Sequence, residues 1–172
     1  MPKCALVLLV AFALALPATA QTKVSGKANC SKPDTQQSVD VGDAAGHTLS
    51  IVKNSCKWDT PLEISGLKSG DAVDVSTIEA WGQKVSQHGY NTSTMDNGDK
   101  MTVRYAGTAT AAKDGTLTME GKWTFIKGTG KLKGIKGSGT YKGTGATDGS
   151  GVVDVEGDYT LPEAKAAAKP AK

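Results

Sequence analysis

Two histidines and a pair of glutamates are the side chains in this sequence most suited to acid–base chemistry. His88 could act as a general base, and Glu63 and Glu79 lie in strand-like segments from which both could point into one cavity. No G-x-S-x-G motif supplies a nucleophile for His88, and a solvated position on a sheet exterior is the favoured interpretation of both glutamates. The sequence therefore carries no catalytic signature, and binding is favoured over catalysis.

Metal and cofactor chemistry find little support in the same residues. His47 and His88 are far apart in the chain and neither has a cysteine beside it, so no structural zinc site is predicted. The segment Asp96-Asn97-Gly98-Asp99 has carboxylates near a glycine but lacks the pattern of a calcium-binding loop. It is interpreted as a turn, and neither a metal nor a cofactor is predicted.

The first twenty residues have the features of an export signal. Lys3 precedes an apolar run from Ala5 to Leu16, and Ala18-Thr19-Ala20 is a small-x-small cleavage site. The run is shorter than the roughly 20 residues that cross a bilayer, so no membrane span is expected. We expect cleavage after Ala20 and a periplasmic or secreted protein.

Two cysteines, Cys30 and Cys56, remain after removal of the signal, which takes Cys4 with it. In an oxidising compartment an even pair indicates a disulfide, and closing a loop of this length would stabilise the fold by about 3 kcal/mol. Free or intermolecular thiols are the alternative.

Charge excludes one class of partner and suggests another. Lysine and arginine total 20 against 17 acidic residues, and Arg104 is the sole arginine, so a nucleic-acid partner is not predicted. The glycine- and lysine-rich segment 122–145 contains no acidic residue, and Lys131, Lys133 and Lys136 form a candidate anion-binding patch. Its glycine spacing does not match a phosphate-binding loop, and solvated lysines on strand exteriors are the favoured alternative.

Alternating apolar and polar residues between tight turns predict the fold class. Asp96-Asn97-Gly98 supplies the positive φ of a hairpin, and further turns divide the chain into about eight strands. We predict an all-β protein with an antiparallel barrel of about eight strands, with a β-sandwich as the alternative. Glycines within strands support strong bending of the sheet: Gly107, Gly121, Gly139, Gly143 and Gly157.

Composition also divides the chain. After the signal peptide, residues 1–20, we expect an extended N-terminal arm at 21–45 and the barrel domain at 46–161. Residues 162–172 form an Ala/Lys/Pro tail that is predicted to be disordered.

The inward faces of the strands supply the candidate ligand-binding residues. Alternation places Tyr105, Met119, Trp123 and Phe125 inside the barrel, and Glu79 is added as a carboxylate that could point into it. Aromatic residues could line a ligand pocket or fill the interior completely, since small barrels are often packed solid.

A longer motif carries a resemblance to known families. The segment W-T-F-x-x-G-T-G-K-L-K-G-I-K-G-x-G-T-Y followed by V-E-G-D-Y-T-L resembles a group of small exported bacterial proteins of unassigned activity. Its G-T-G-K-x-x-G-I-x-G core is similar, more distantly, to the calycin-like barrel of allene oxide cyclases and dirigent proteins. The resemblance implies an eight-stranded barrel with a small apolar cavity, and a dimer or trimer as in the plant members. The catalytic positions of the cyclases do not match this chain residue by residue.

These features together predict an exported β-barrel protein that binds a small apolar or amphipathic ligand. A cyclase- or isomerase-like enzyme acting in the cavity is one alternative. A non-catalytic structural protein of the cell envelope is the other.

Overall fold

Strands account for nearly all regular structure in the computed structural model, which describes residues 21–162. These residues also contain a single 3-10 turn, Gly130–Leu132. The expected signal with its cleavage site after Ala20, and residues 163–172 of the expected tail at 162–172, lie outside the described residues. The ten strands are β1 Thr22–Cys30, β2 Thr35–Asp40, β3 Thr48–Thr60, β4 Glu63–Ile64, β5 Leu67–Trp81, β6 Lys84–Met95, β7 Lys100–Ala111, β8 Leu117–Gly128, β9 Lys136–Gly145 and β10 Gly151–Thr160.

Eight of these strands close into an antiparallel barrel, as the sequence predicted. The ring runs β1-β10-β9-β8-β7-β6-β5-β3 and returns to β1. Each of the eight is paired on both sides, which removes the free edges that a sandwich would leave. The sandwich alternative is therefore wrong.

The barrel begins earlier in the chain than the sequence indicated. Residues 21–45 were expected to be an extended arm, but β1 pairs with β10 along its whole length and is part of the ring. The apolar pattern of β1 is weak because Val24, Gly26 and Ala28 are its inward residues. A Cβ at Gly26 would lie 2.9 Å from a methyl carbon of Leu62, so this position has no room for a larger side chain. The N-terminal boundary of the barrel is Thr22.

The predicted disulfide joins β1 to β3. Cys30 and Cys56 lie opposite each other in the β1–β3 ladder and are bonded. This ladder is the shortest in the ring and contains a register shift between Lys27 and Ala28. The disulfide therefore reinforces the pairing by which the barrel closes.

The short strand β2 extends the wall beyond β1. β1 pairs with residues 56–60 of β3, and β2 pairs with residues 48–53 along the same edge. All six residues of β2 are exposed. β2 and the adjoining part of β3 thus extend the barrel wall on one side, beyond the end of β1.

Large apolar side chains close one end of the barrel. Ile64 and Leu132 are fully buried there, and they pack with Met95, Met101 and Ile135. We call this the closed end. The opposite end, where the turns 112–116 and 146–150 connect strands, is called the mouth. Within residues 21–162 no helix is long and apolar enough to cross a membrane.

Candidate ligand-binding cavity

A cavity of about 560 Å³ occupies the barrel between the mouth and the packed closed end. This volume lies within the range of about 300–1,000 Å³ that is usual for small-molecule sites. Tyr105, Met119, Trp123 and Phe125 line it, in agreement with the alternation of β7 and β8. Their position on the inner wall is thus observed, whereas their role in binding stays a prediction.

The cavity has two chemically different walls. Strands β7, β8, β9 and β10 contribute mainly apolar and aromatic side chains, such as Val103, Leu117 and Val155. Strands β3, β5 and β6 contribute polar side chains: Ser50, Asn54, Asp74, Ser76, Gln87, Asn91 and Ser93. A bound molecule would therefore meet hydrogen-bonding groups on one side and apolar surface on the other.

Asp74 is the acidic residue on the polar wall, and it was not among the residues predicted from the sequence. Its Oδ2 accepts a hydrogen bond of 2.7 Å from the Tyr105 hydroxyl, and its Oδ1 accepts one of 3.4 Å from the Asn91 amide. Burial raises the pKa of the Asp74 carboxyl above its usual range. Burial, with the adjacent Asp74, also raises the pKa of Tyr105, so its hydroxyl remains a donor.

The hydrogen bonds of Asp74 continue across the polar wall to a tryptophan. Ser93 donates to the side-chain oxygen of Asn91 at 3.1 Å, and Trp58 Nε1 donates to the Ser93 hydroxyl at 3.0 Å. The network from Tyr105 to Trp58 connects β7, β5, β6 and β3. It orients the carboxyl and holds this wall together.

A second polar contact lies between Gln87 and Tyr141. Gln87 Nε2 donates to the Tyr141 hydroxyl at 3.0 Å, and the Tyr105 and Tyr141 rings meet edge to face with centroids 5.7 Å apart. The Tyr141 ring lies against Gly121, where an added Cβ would be 2.5 Å from a ring carbon. Glycine is thus required at this inward position so that the tyrosine can cross the neighbouring strand.

Trp123 is accommodated in the same way. A Cβ at either Gly139 or Gly157 would come within 2.6 Å of its ring. Its Nε1 donates to the Thr140 carbonyl at 3.1 Å, and Phe125 packs against it edge to face. These glycines were expected to allow bending of the sheet, and in the structure they leave room both for the neighbouring strand backbone and for the Trp123 ring.

The expectation that Glu79 faces the cavity is wrong. Asp74, Ser76 and Ile78 point inward on β5, so Glu79 points outward. There Glu79 lies 3.0 Å from His47 Nε2.

His47 holds the β2–β3 turn against β5 on the outer face. Its Nδ1 lies 2.6 Å from the Asp43 carboxylate, and the Trp81 ring stacks on the imidazole with centroids 4.9 Å apart. Hydrogen bonds to Glu79 and Asp43 raise the pKa of His47. This cluster is structural and lies outside the cavity.

The candidate anion patch lies at the closed end. Lys131, Lys133 and Lys136 are exposed there. They are far from any acidic residue in the sequence, but an acidic residue lies close to them in the fold. The Lys131 main-chain N–H donates to the Asp99 carboxylate at 3.0 Å. Asn97 and this N–H lower the pKa of Asp99, so a negative charge lies beside the lysines. Anion binding at these residues stays a prediction.

Comparison with known proteins gives only distant similarities. No protein-family model and no curated protein matches the chain. Among solved structures, the pterocarpan synthase dirigent protein GePTS1 has 10% identity and a TM-score of 0.46, covering 90% of this chain and 98% of its own. The pterocarpan synthase dirigent protein PsPTS1 has 11% identity and a TM-score of 0.47, covering 84% and 97%. These similarities are too distant to bear on activity.

Proposed function

We propose that this protein binds a small ligand with an apolar body and one polar group inside its barrel. The observation that carries the proposal is the cavity of about 560 Å³ in which apolar side chains face the Asp74–Tyr105 pair. Sites of this composition bind through apolar contact and use a few polar groups to orient the ligand. Trp123 and Phe125 would contact the apolar body, and the carboxyl would contact the polar group.

The ligand-bound protein is proposed to act outside the cytoplasm. The Cys30–Cys56 disulfide fits an extracellular protein, because such bonds persist in oxidising compartments. A periplasmic or secreted location after cleavage following Ala20 is part of the proposal. The intact mass of the protein recovered from the periplasm or medium would test it.

Native mass spectrometry against a panel of lipids and aromatic compounds tests binding. Met119→Trp would project an indole ring into the cavity and reduce its volume, whereas Glu120→Trp places the same ring on the exposed side of the same strand. We expect a retained ligand with the wild type and with Glu120→Trp, and reduced retention with Met119→Trp, while all three keep a β-sheet circular dichroism spectrum. No retained compound with the wild type would favour the structural alternative.

A buried carboxyl also supports a second function, proton transfer to a bound substrate. Asp74 with a raised pKa could give a proton to a ligand and thereby assist an isomerisation or cyclisation. Conversion of a bound compound by the wild type but not by Asp74→Asn would support this candidate. Binding without conversion across the panel would support the binding function alone.

A further inference from the structure

We infer that the ligand carries one positive charge, as a protonated amine on an apolar body, and that Asp74 is its counter-ion. This inference rests on the proposed function, because it requires an occupied cavity. It adds the chemical class of the ligand, and it follows from how charges are matched in different parts of this barrel.

On the outer surface, charges of opposite sign lie opposite each other. Lys142 on β9 is registered with Glu120 on β8 and with Asp154 on β10. Lys27 on β1 then lies 3.2 Å from the Asp154 carboxylate. Cross-strand pairs of this kind are the usual way in which a sheet accommodates charged residues.

Inside the barrel, the corresponding positions beside Asp74 are neutral. Its registered partners are Asn54 on β3 and Asn91 on β6. Among residues 21–162, no lysine, arginine or histidine nitrogen lies within 4.0 Å of the Asp74 carboxylate oxygens, the distance that defines an ion pair. Tyr105 from β7 donates to it, and the Asp74 charge contributes to the raised pKa of Tyr141 from β9, so neither titratable neighbour supplies a positive charge.

A carboxylate without a cation is unfavourable in a partly buried site. Two neutral donors, Tyr105 and Asn91, use part of its hydrogen-bonding capacity, and a carboxylate offers about four acceptor positions. Burying an unpaired charge has a large free-energy penalty, which a bound cation removes. A positive donor beside Asp74 would therefore stabilise its charged form in this wall.

The surroundings of Asp74 suit an organic cation better than a metal ion. The rings of Tyr105, Tyr141 and Trp58 line the same cavity, and aromatic faces attract organic ammonium groups. Trp123 and Phe125 supply an apolar surface for the rest of the molecule.

Charge around the mouth favours entry of a cation. The turns and connections at this end contain four aspartates, Asp34, Asp43, Asp114 and Asp148, against Lys32, Lys113 and the Asp43-bound His47. The lysine-rich turn before β9 is at the closed end. A negative potential at the entrance would steer a positively charged ligand into the cavity.

Three matched probes test the inference: naphthylmethylamine, the corresponding alcohol and the corresponding carboxylic acid. Calorimetry with the wild type at neutral pH should show the amine binding about 10-fold or more tightly than the alcohol, as a charged hydrogen bond would produce. The acid should bind more weakly than the alcohol. Lowering the pH through the pKa of Asp74 should weaken amine binding and leave alcohol binding unchanged.

Variants distinguish the effect of the Asp74 charge on ligand affinity from an effect on folding. Asp74→Asn keeps an acceptor for Tyr105 and should reduce amine affinity about 10-fold while alcohol affinity stays within about 2-fold. Asp71→Asn, an exposed position on the same strand, should leave all affinities unchanged. Equal affinities for amine and alcohol, or no effect of Asp74→Asn, would overturn the counter-ion role while leaving cavity binding intact. If no compound of any charge binds, the proposed function itself is overturned.

Discussion

The Tyr105 hydroxyl donates to the Asp74 carboxylate at 2.7 Å, although the strands that carry them, β7 and β5, are separated by β6. The bond therefore spans the inner surface of the barrel and does not belong to a ladder between neighbouring strands. It fixes the carboxyl beside the apolar wall. The binding properties proposed above depend on this relationship.

Removing the hydroxyl should weaken the fold. In Tyr105→Phe the Asp74 carboxylate loses its shorter hydrogen bond, and we expect the free energy of unfolding to fall by about 1–3 kcal/mol. Urea denaturation at neutral pH measures this change. Tyr90→Phe, at an exposed tyrosine on the outer face, is the control and should change stability little.

Asp74→Asn should have the opposite effect on stability in the absence of ligand. Because burial raises the folded-state pKa of Asp74 above its unfolded value, the folded protein loses stability as the pH rises from near 3.8 through that raised pKa. The variant should be more stable than the wild type at neutral pH, and the gain should vanish below pH 3.8. A variant that is less stable at neutral pH would contradict burial as the source of the shift.

Removal of the disulfide should destabilise the closure of the barrel. Because Cys30 and Cys56 are 26 positions apart in the chain, their joint replacement by serine should lower the free energy of unfolding by about 3 kcal/mol. Reductant should destabilise the wild type to a similar extent and leave the double variant unaffected. Titration of two free thiols in unreduced protein would refute the bond.

The glycines beneath the aromatic rings should tolerate no side chain. In Gly139→Ala the new methyl group would overlap the Glu156 carbonyl oxygen and lie 2.6 Å from the Trp123 ring, so we expect a loss of about 1–3 kcal/mol from overpacking. Gly70→Ala is the matched control, because its nearest neighbour would be 3.5 Å away. Equal stabilities of the two variants would show that both the ring and the neighbouring strand can move aside.

The His47 cluster should make the β2–β3 turn sensitive to pH. Its contacts with Glu79 and Asp43 raise the pKa of His47, so their stabilisation is complete below the unfolded value of 6.5 and is lost as the pH rises through the folded pKa. After correction for the intrinsic pH dependence, amide exchange in residues 41–47 should become faster over that interval. His47→Gln should abolish this response, whereas His88→Gln should retain it.

Much of the barrel was predictable because β7 and β8 alternate regularly. That alternation placed Tyr105, Met119, Trp123 and Phe125 on the inner wall. The polar wall of the cavity could not be predicted from the sequence, for a physical reason. In D-A-V-D-V of β5 the valines are exposed and Asp74 points inward, which inverts the usual relation between hydropathy and burial.

Two other features could not be found by reading the strands singly. β1 has small inward residues because Leu62 and Trp58 occupy the space over Gly26, and that packing brings together residues far apart in the sequence. Glu79 was predicted to face the cavity although no alternation of apolar and polar residues showed which face of the sheet it occupies. Its actual partner, His47, lies 32 residues away in the chain.

The three tryptophans allow the most direct test of ligand binding inside the barrel. Trp58 and Trp123 line the cavity, whereas Trp81 is exposed on the outer face, so their indole N–H signals in a proton–nitrogen correlation spectrum report on different surfaces. During titration with naphthylmethylamine, we predict that the Trp58 and Trp123 signals shift together to saturation while the Trp81 signal stays in place. A shift confined to Trp81, or no shift in any of the three signals, would contradict binding in the cavity.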